Sequence, residues 1–285
     1  MAILGAHMSM AGGYYKAVEA AARVGCDCVQ LFTKNNNQWR AKPITEDDVA
    51  RFRAALKEHG IKHPISHDSY LINLASPDNE LWKKSVDAFV VELQRAAQLG
   101  IPYVVAHPGA FTTSTEARGL KRIVRGLNEV HKQTKGCTAK CLLETTAGQG
   151  SNLGWKFEHL AAILDGVRNP DLLGVCFDTC HVFAAGYAMD TEKNYKATMR
   201  TLNKTVGVKQ IKAFHFNDSK TKFGSRVDRH AQIGKGEMGL SPFRFLLNDR
   251  RFRKVPMYLE TPKGEYKGKE LDVINLKTLR KLIDE

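Results

Sequence analysis

Residues 174–181 read GVCFDTCH, a short apolar run that closes on a carboxylate, Asp178, with an imidazole, His181, one turn further on. An apolar strand that finishes in an ionisable group does more than fill a core. The same pattern lies on both sides. Upstream, KCLLETT (140–146) carries Glu144, YVVAHPG (103–109) carries His107, and PISHD (64–68) closes on His67 and Asp68. Downstream, IKAFHFND (211–218) carries His215 and PMYLETP (256–262) carries Glu260. Two more runs, AILGAHM (2–8) and CVQLFT (28–33), bring the total to eight.

Helical periodicity fills the gaps between runs. In TEDDVARFRAALKEHG (45–60), Thr45 reads as an N-cap with Asp48 completing a capping-box arrangement, and Val49, Phe52, Ala55 and Leu56 form one apolar face ahead of Gly60. Stretches 80–100, 116–136, 158–166 and 271–283 behave similarly. Strand–helix alternation without a linker or low-complexity stretch predicts an α/β chain folded as a single (β/α)8 TIM barrel over residues 1–285. A doubly wound open sheet is the alternative, but no G-x-G-x-x-G opens a helix after the first run. In a barrel, every strand end would face one mouth, where the active sites of this fold collect.

Composition narrows the class. Hydrophobic content of 43% over 285 residues suits a globular protein with a substantial core. MAILGAHMSMAGG has no basic segment and no long apolar segment, so neither a secretory signal nor a membrane partner is expected. A cytoplasmic location follows, nucleoid-associated if the source is bacterial. The six cysteines show no C-x-x-C spacing and read as reduced thiols. A net charge of +13 favours polyanionic partners if the cations border a site.

Candidate ligands are numerous. His67, His107, Glu144, Asp178, His181, His215 and Glu260 lie on strand ends, and Asp228-x-His230, on an extended segment, would point both side chains one way. A catalytic zinc uses about three protein ligands plus water, so this set could serve two or three ions. Imidazole with carboxylate suits Zn²⁺ or Mn²⁺, and no cysteine is placed among them. His7 lacks a neighbouring carboxylate and reads as a phosphate contact or a steadying group. His59, His63, His131 and His159 fall on helices or loop edges and read as solvated. Around the ligands in HFNDSKTKFGSRVDRH (215–230) stand Lys220, Lys222, Arg226 and Arg229, which imply a strongly anionic substrate such as a phosphodiester. Gly234, Gly236 and Gly239 would let backbone N–H groups approach a phosphate. TKNNNQWR (33–40) and HDSYLINL (67–74) put amides, Trp39, Tyr70 and Leu71 on the same rim, a combination suited to minor-groove entry. Packing beneath the loop is the other reading of Trp39 and Leu71.

These stretches, with LGAHMSMAGG, LETTAGQGSNLG, VCFDTCHVFAAGY and HAQIGKG, carry a resemblance to the endonuclease IV family of metal-dependent apurinic/apyrimidinic endonucleases, in order and over nearly the whole chain. The resemblance implies a TIM barrel with three zinc ions, other divalent ions substituting. It implies His67, His107 and Glu144 on one ion, and Glu144 as a bridge, with Asp178, His215 and Glu260, on the second. His181, Asp228 and His230 would hold the third. The implied reaction is hydrolysis of DNA 5′ to an abasic site by in-line attack of hydroxide, with Glu144 and Glu260 as catalytic groups, plus removal of 3′-blocking groups. The implied partner is damaged double-stranded DNA, met by a monomer without a nucleotide cofactor. Asn37, Gln38, Tyr70, Leu71, Lys222, Arg226 and Arg229 are the expected DNA contacts. Asn37 departs from the family, which usually offers a long basic residue there. Two other classes compete. A metal-dependent sugar isomerase or epimerase could use Glu144, Asp178, His215 and Glu260, but would not need the remaining ligands or the basic rim. A non-catalytic DNA-binding protein would need only cations.

Overall fold

The apolar runs fold as β1 (Leu4–His7), β2 (Cys28–Phe32), β3 (Lys62–His67), β4 (Tyr103–Ala106), β5 (Lys140–Glu144), β6 (Leu173–Asp178) and β7 (Ile211–Phe216). After two short strands, β8 (Asp218–Ser219) and β9 (His230–Ala231), comes β10 (Met257–Leu259). In this computed structural model, which describes residues 2–284, β1 to β7 and β10 pair in parallel and β10 returns to β1, closing a TIM barrel. Closure excludes the open doubly wound sheet.

Around the barrel run α1 (Tyr14–Arg23), α2 (Glu46–Glu58), α3 (Asn79–Leu99), α4 (Glu116–Gln133), α5 (Phe157–Gly166), α6 (Thr179–Ala184), α7 (Glu192–Thr205), α8 (Ser241–Asn248) and α9 (Leu271–Arg280). The Thr45–Asp48 capping box forms at the start of α2, and α3 stops at Gly100 in the left-handed region, φ 80°. Helices α1, α6, α7 and α8 lie outside the five periodic stretches. In α7 the buried positions Tyr195, Thr198, Met199 and Leu202 keep helical spacing, but lysines, asparagines and threonines dilute the apolar signal. A hairpin of β11 (Glu265–Tyr266) and β12 (Lys269–Glu270) precedes α9.

Two apolar layers follow from strand alternation. Outward-facing residues such as Val29, Leu143, Phe177, Phe214 and Leu259 pack beneath the helices. Inside the barrel, Cys28, Ile65, Val105, Leu142, Cys176, Ala213 and Tyr258 form a separate buried cluster. β1 contributes Gly5 at this level, where a Cβ would lie 2.0 Å from the Cys28 carbonyl oxygen, so only glycine admits this approach of β1 to β2. All six cysteines are free. Among the described residues, no helix is long and apolar enough to cross a membrane.

Candidate metal centre

A step of two along a strand returns to the same side. Two residues beyond the inner apolar cluster, the eight chains of the barrel carry His7, Gln30, His67, His107, Glu144, Asp178, His215 and Glu260. The strand period therefore sets a polar ring directly on an apolar one, at the C-terminal mouth.

The ring's contacts fall into groups. His67, His107 and Glu144 offer donor atoms within 4.8 Å of one another, as do Glu144, Asp178, His215 and Glu260. Glu144 divides its oxygens between the two: Oε2 lies 3.2 Å from Nε2 of both His67 and His107, and Oε1 lies 2.8 Å from His215 Nδ1. A third group assembles at Asp228, whose oxygens lie 3.1 Å from His181 Nε2 and 3.2 Å from His230 Nε2. Asp178 stands between the second and third groups and also joins His181 and His230. The same-side placement of Asp228 and His230 is as the sequence suggests. Cys180 comes closer than expected, grouped with Asp228 and His230, but burial pushes its thiol up to about 12 and leaves it a poor ligand.

Tautomers follow from fixed acceptors. His67 Nδ1 donates to the Asp68 carbonyl at 3.0 Å, His181 Nδ1 to the Thr145 carbonyl at 2.8 Å, and His230 Nδ1 to the Glu260 carbonyl at 3.2 Å. A carbonyl only accepts, so each Nδ1 carries hydrogen and each Nε2 is the ring atom turned toward the carboxylates, the atom that a ligand role would use. His215 is reversed: its Nε2–H donates to Gln30 Oε1 at 2.8 Å and its Nδ1 faces the carboxylates. Gln30 is fully buried and also donates to Glu260 Oε1 at 2.5 Å, which fixes its amide orientation. Asn217 donates to Asp178 Oδ2 at 2.7 Å and accepts the Glu260 N–H at 2.9 Å. Such outer contacts aim ligands and set their basicity. Gln30 and Asn217 are the functional residues that sequence reading missed.

The electrostatics call for added positive charge. Every ion-pair partner of Glu144, Asp178, Asp228 and Glu260 among the described residues is a histidine. Burial opposes ionisation of Glu144, yet His215 and His107 bring its carboxyl well below the ordinary range. Burial prevails at Asp178 and raises it despite His181 and His230. Burial opposes protonation of His181 and His230, yet Asp178 and Asp228 raise both imidazoles above the ordinary histidine range, so the counter-charges of this acid cluster are ring protons. Carboxylates whose counter-charges are imidazoles, which give up their protons on becoming ligands, fit divalent metal ions of the zinc or manganese kind.

A cleft of about 340 Å³ opens over the ring, lined by His7, His67, His107, His181, Asp228, His230 and Glu260. Tyr70 stands on its lip, 67% exposed, its ring edge-on to Phe32 at 5.7 Å. Leu71 is half-buried beside it, and Asn37 and Gln38 are exposed on the loop after β2. Trp39 packs on the core under Lys84, so the packing reading holds for it. Lys222 and Arg229 are exposed, whereas the exposed Arg226 lays its guanidinium 3.6 Å from the Trp155 ring centre.

Three expectations are corrected. The glycine turn wraps an anion of the protein itself: Asp218 accepts from the N–H groups of Gly236 and Met238, each at 3.0 Å. A Cβ at Gly236 would lie 2.2 Å from the Ser219 carbonyl oxygen. That clasp and the β8–β9 pairing, which sets Ser219 opposite His230, hold the loop carrying Asp228 and His230 over the mouth. His131 is buried, not solvated, on the face of α4 that also buries Leu127. His159 is buried too, accepting the Gly154 N–H at 3.1 Å with Nε2 toward Glu116.

Comparisons with known proteins agree in one direction. A family profile described as "Xylose isomerase-like TIM barrel" matches residues 18–282. A protein named "Probable endonuclease 4" from Geobacter sp. (strain M21) is 47% identical over 100% of both chains. A protein of the same name from Chloroflexus aggregans is 50% identical, over 98% of this chain and 97% of that one. The crystal structure of endonuclease IV from Thermus thermophilus superposes with a TM-score of 0.85 at 35% identity, covering 98% of each chain. A D-tagatose 3-epimerase-like protein at 17% identity, TM-score 0.72, covering 98% of this chain and 96% of that one, shares the fold alone.

Proposed function

The chain belongs to the endonuclease IV family, and from that premise we propose that it is a single-domain, monomeric DNA-repair hydrolase that cuts the phosphodiester 5′ to abasic sites. The products are a 3′-hydroxyl and a 5′-deoxyribose phosphate, and the same hydrolysis clears 3′-blocked ends. The carrying observation is the mouth itself, where carboxylates paired, among the described residues, only with histidines cluster at ligand spacing beneath an open cleft.

In this reading Zn²⁺ is the resident ion, at three positions. His67, His107 and Glu144 would hold one, Glu144 with Asp178, His215 and Glu260 a second, and His181, Asp228 and His230 a third. Divalent ions supply Lewis acidity toward phosphate and make water a nucleophile near neutral pH. The chain's own groups do the rest. Glu144, whose oxygens are divided between the two ligand groups, would be shared by the first two positions. Glu260, gripped by Gln30 and open to the cleft, orients the attacking water from a fixed rotamer. Lys222 and Arg229 offset phosphate charge at the rim, with Arg226 steadying their loop against Trp155. Asn37, Gln38, Tyr70 and Leu71 meet the distorted duplex. An abasic nucleotide has no base to unpair, so rotating it into the cleft costs less than rotating a normal one. A sugar epimerase would leave His67, His107, His181, Asp228 and His230 without employment.

The test is a synthetic duplex bearing one tetrahydrofuran abasic analogue. Metal-replete protein is expected to leave a 3′-hydroxyl 5′ to the lesion, to stop after exhaustive chelation, and to resume with Zn²⁺. Full incision after metal stripping, or none by replete protein, contradicts the proposal. A primer blocked by a 3′-phosphate reads the second activity separately.

A further inference from the structure

The rim stretch TKNNNQWR contains a lysine that does not face the rim. Lys34 is 4% exposed, and its Nζ lies 3.3 Å from Oε1 of Glu92 on α3, itself 1% exposed. The same Nζ donates to the Gln38 carbonyl at 2.7 Å. The other Glu92 oxygen accepts the Thr33 hydroxyl at 3.0 Å. One helical step on, Arg95 donates to the Thr33 carbonyl at 2.5 Å and to the Lys42 carbonyl at 2.7 Å. A further step on, Gln98 donates to the Ile44 carbonyl at 3.0 Å. Glu92, Arg95 and Gln98 are spaced by three, so one stripe of α3 supports the irregular segment between β2 and α2 from beneath. That segment is tied sideways as well: the Ser69 hydroxyl donates to the Asn36 carbonyl at 2.6 Å. Tyr70 and Leu71 follow Ser69 directly.

We propose that the buried Lys34–Glu92 pair, with Arg95 and the Ser69 tie, is a positioning strut that sets both duplex-reading loops relative to the metal centre. Lys34 then acts through Gln38 and touches no phosphate. The inference rests on the reading that the mouth receives damaged duplex. Its physical basis is a mismatch between cost and place. Burying an ion pair removes hydration from both charges, and apolar replacement of such pairs is often neutral or stabilising. Stability alone does not account for charges at this position. Geometry does, because the pair fixes a carbonyl between the two exposed amides, Asn37 and Gln38, and the half-buried Trp39. A loop held in its bound shape loses less freedom when the duplex docks, and the gain appears in affinity rather than in the chemical step.

Three proteins test it: wild type, the Lys34→Met/Glu92→Leu double variant and Ser69→Ala. Each is measured for kcat and KM on the tetrahydrofuran duplex, for duplex affinity under chelation, and for thermal unfolding. In the double variant, KM and Kd are expected to rise about tenfold, kcat to stay within about twofold, and the melting temperature to hold or rise. Ser69→Ala should raise KM by roughly threefold, the scale of one lost hydrogen bond. An unchanged KM and Kd in a folded double variant overturns the strut, as does a fall in kcat at constant KM. If the double variant does not fold, Ser69→Ala decides, and an unchanged KM there overturns it. Wild type that binds duplex without cutting sinks the functional reading and leaves affinity to judge the strut; wild type that does neither sinks both.

Discussion

Two rings inside one barrel differ by a single strand period. The lower ring, Cys28, Ile65, Val105, Leu142, Cys176, Ala213 and Tyr258, is apolar apart from one phenol, whose hydroxyl donates to the His63 carbonyl at 2.7 Å. The upper ring, two residues on, is polar on every strand. Backbone, twist and neighbours are shared, so side-chain chemistry alone separates a layer that holds the barrel shut from one that gathers charge. The lesson is a division of labour. Substitution below should move stability and spare chemistry, and substitution above should do the reverse.

The largest expected effect lies above. Glu144→Ala removes the carboxylate that reaches two ligand groups, and incision should fall by about 10³-fold or more while duplex binding stays detectable. Wild-type turnover in that variant would end the bridging role. The sharpest contrast is Leu142→Ala, two residues earlier on the same strand. It should cost about 2–5 kcal/mol in denaturant unfolding, with near-normal kcat per folded molecule. A large kcat loss there would break the division between the rings. Gln30→Leu comes next. It strips His215 Nε2 of its acceptor and Glu260 of a donor, and should weaken metal affinity or kcat by about 10–100-fold, as losses of outer contacts do. Unaltered metal binding and turnover would reduce Gln30 to packing. The smallest effect belongs to the rim. Asn37→Arg should tighten abasic-duplex binding a few-fold and steepen its salt dependence by about one phosphate contact; equal or weaker affinity would place Asn37 away from DNA.

Much of the barrel and of the side-chain cluster at its mouth was legible because two periodic signals coincide. Apolar runs end in titratable residues, and the register carries Asp178 opposite His215 as the sequence pattern implies. Gln30 was not legible. A lone amide in CVQLF looks like an ordinary interior polar group until the register sets it opposite His7. The glycine turn misled for a related reason: its N–H groups do bind an anion, but that anion is Asp218, and nothing local in the sequence marks it as the partner. Lys34 was not legible either, since neighbours that are polar and exposed hide a cation that turns inward to Glu92. His131 could have been placed, because Ile123, Leu127 and His131 recur every four residues on one helical face.

The central claim is that the barrel mouth, the upper ring with His181, Asp228 and His230, holds metal, and elemental analysis of protein purified without added metal tests it most directly. Roughly three divalent transition-metal equivalents per chain are expected, mostly zinc, falling in Glu144→Ala. Folded wild-type protein that incises the tetrahydrofuran duplex while carrying no such ions would contradict it.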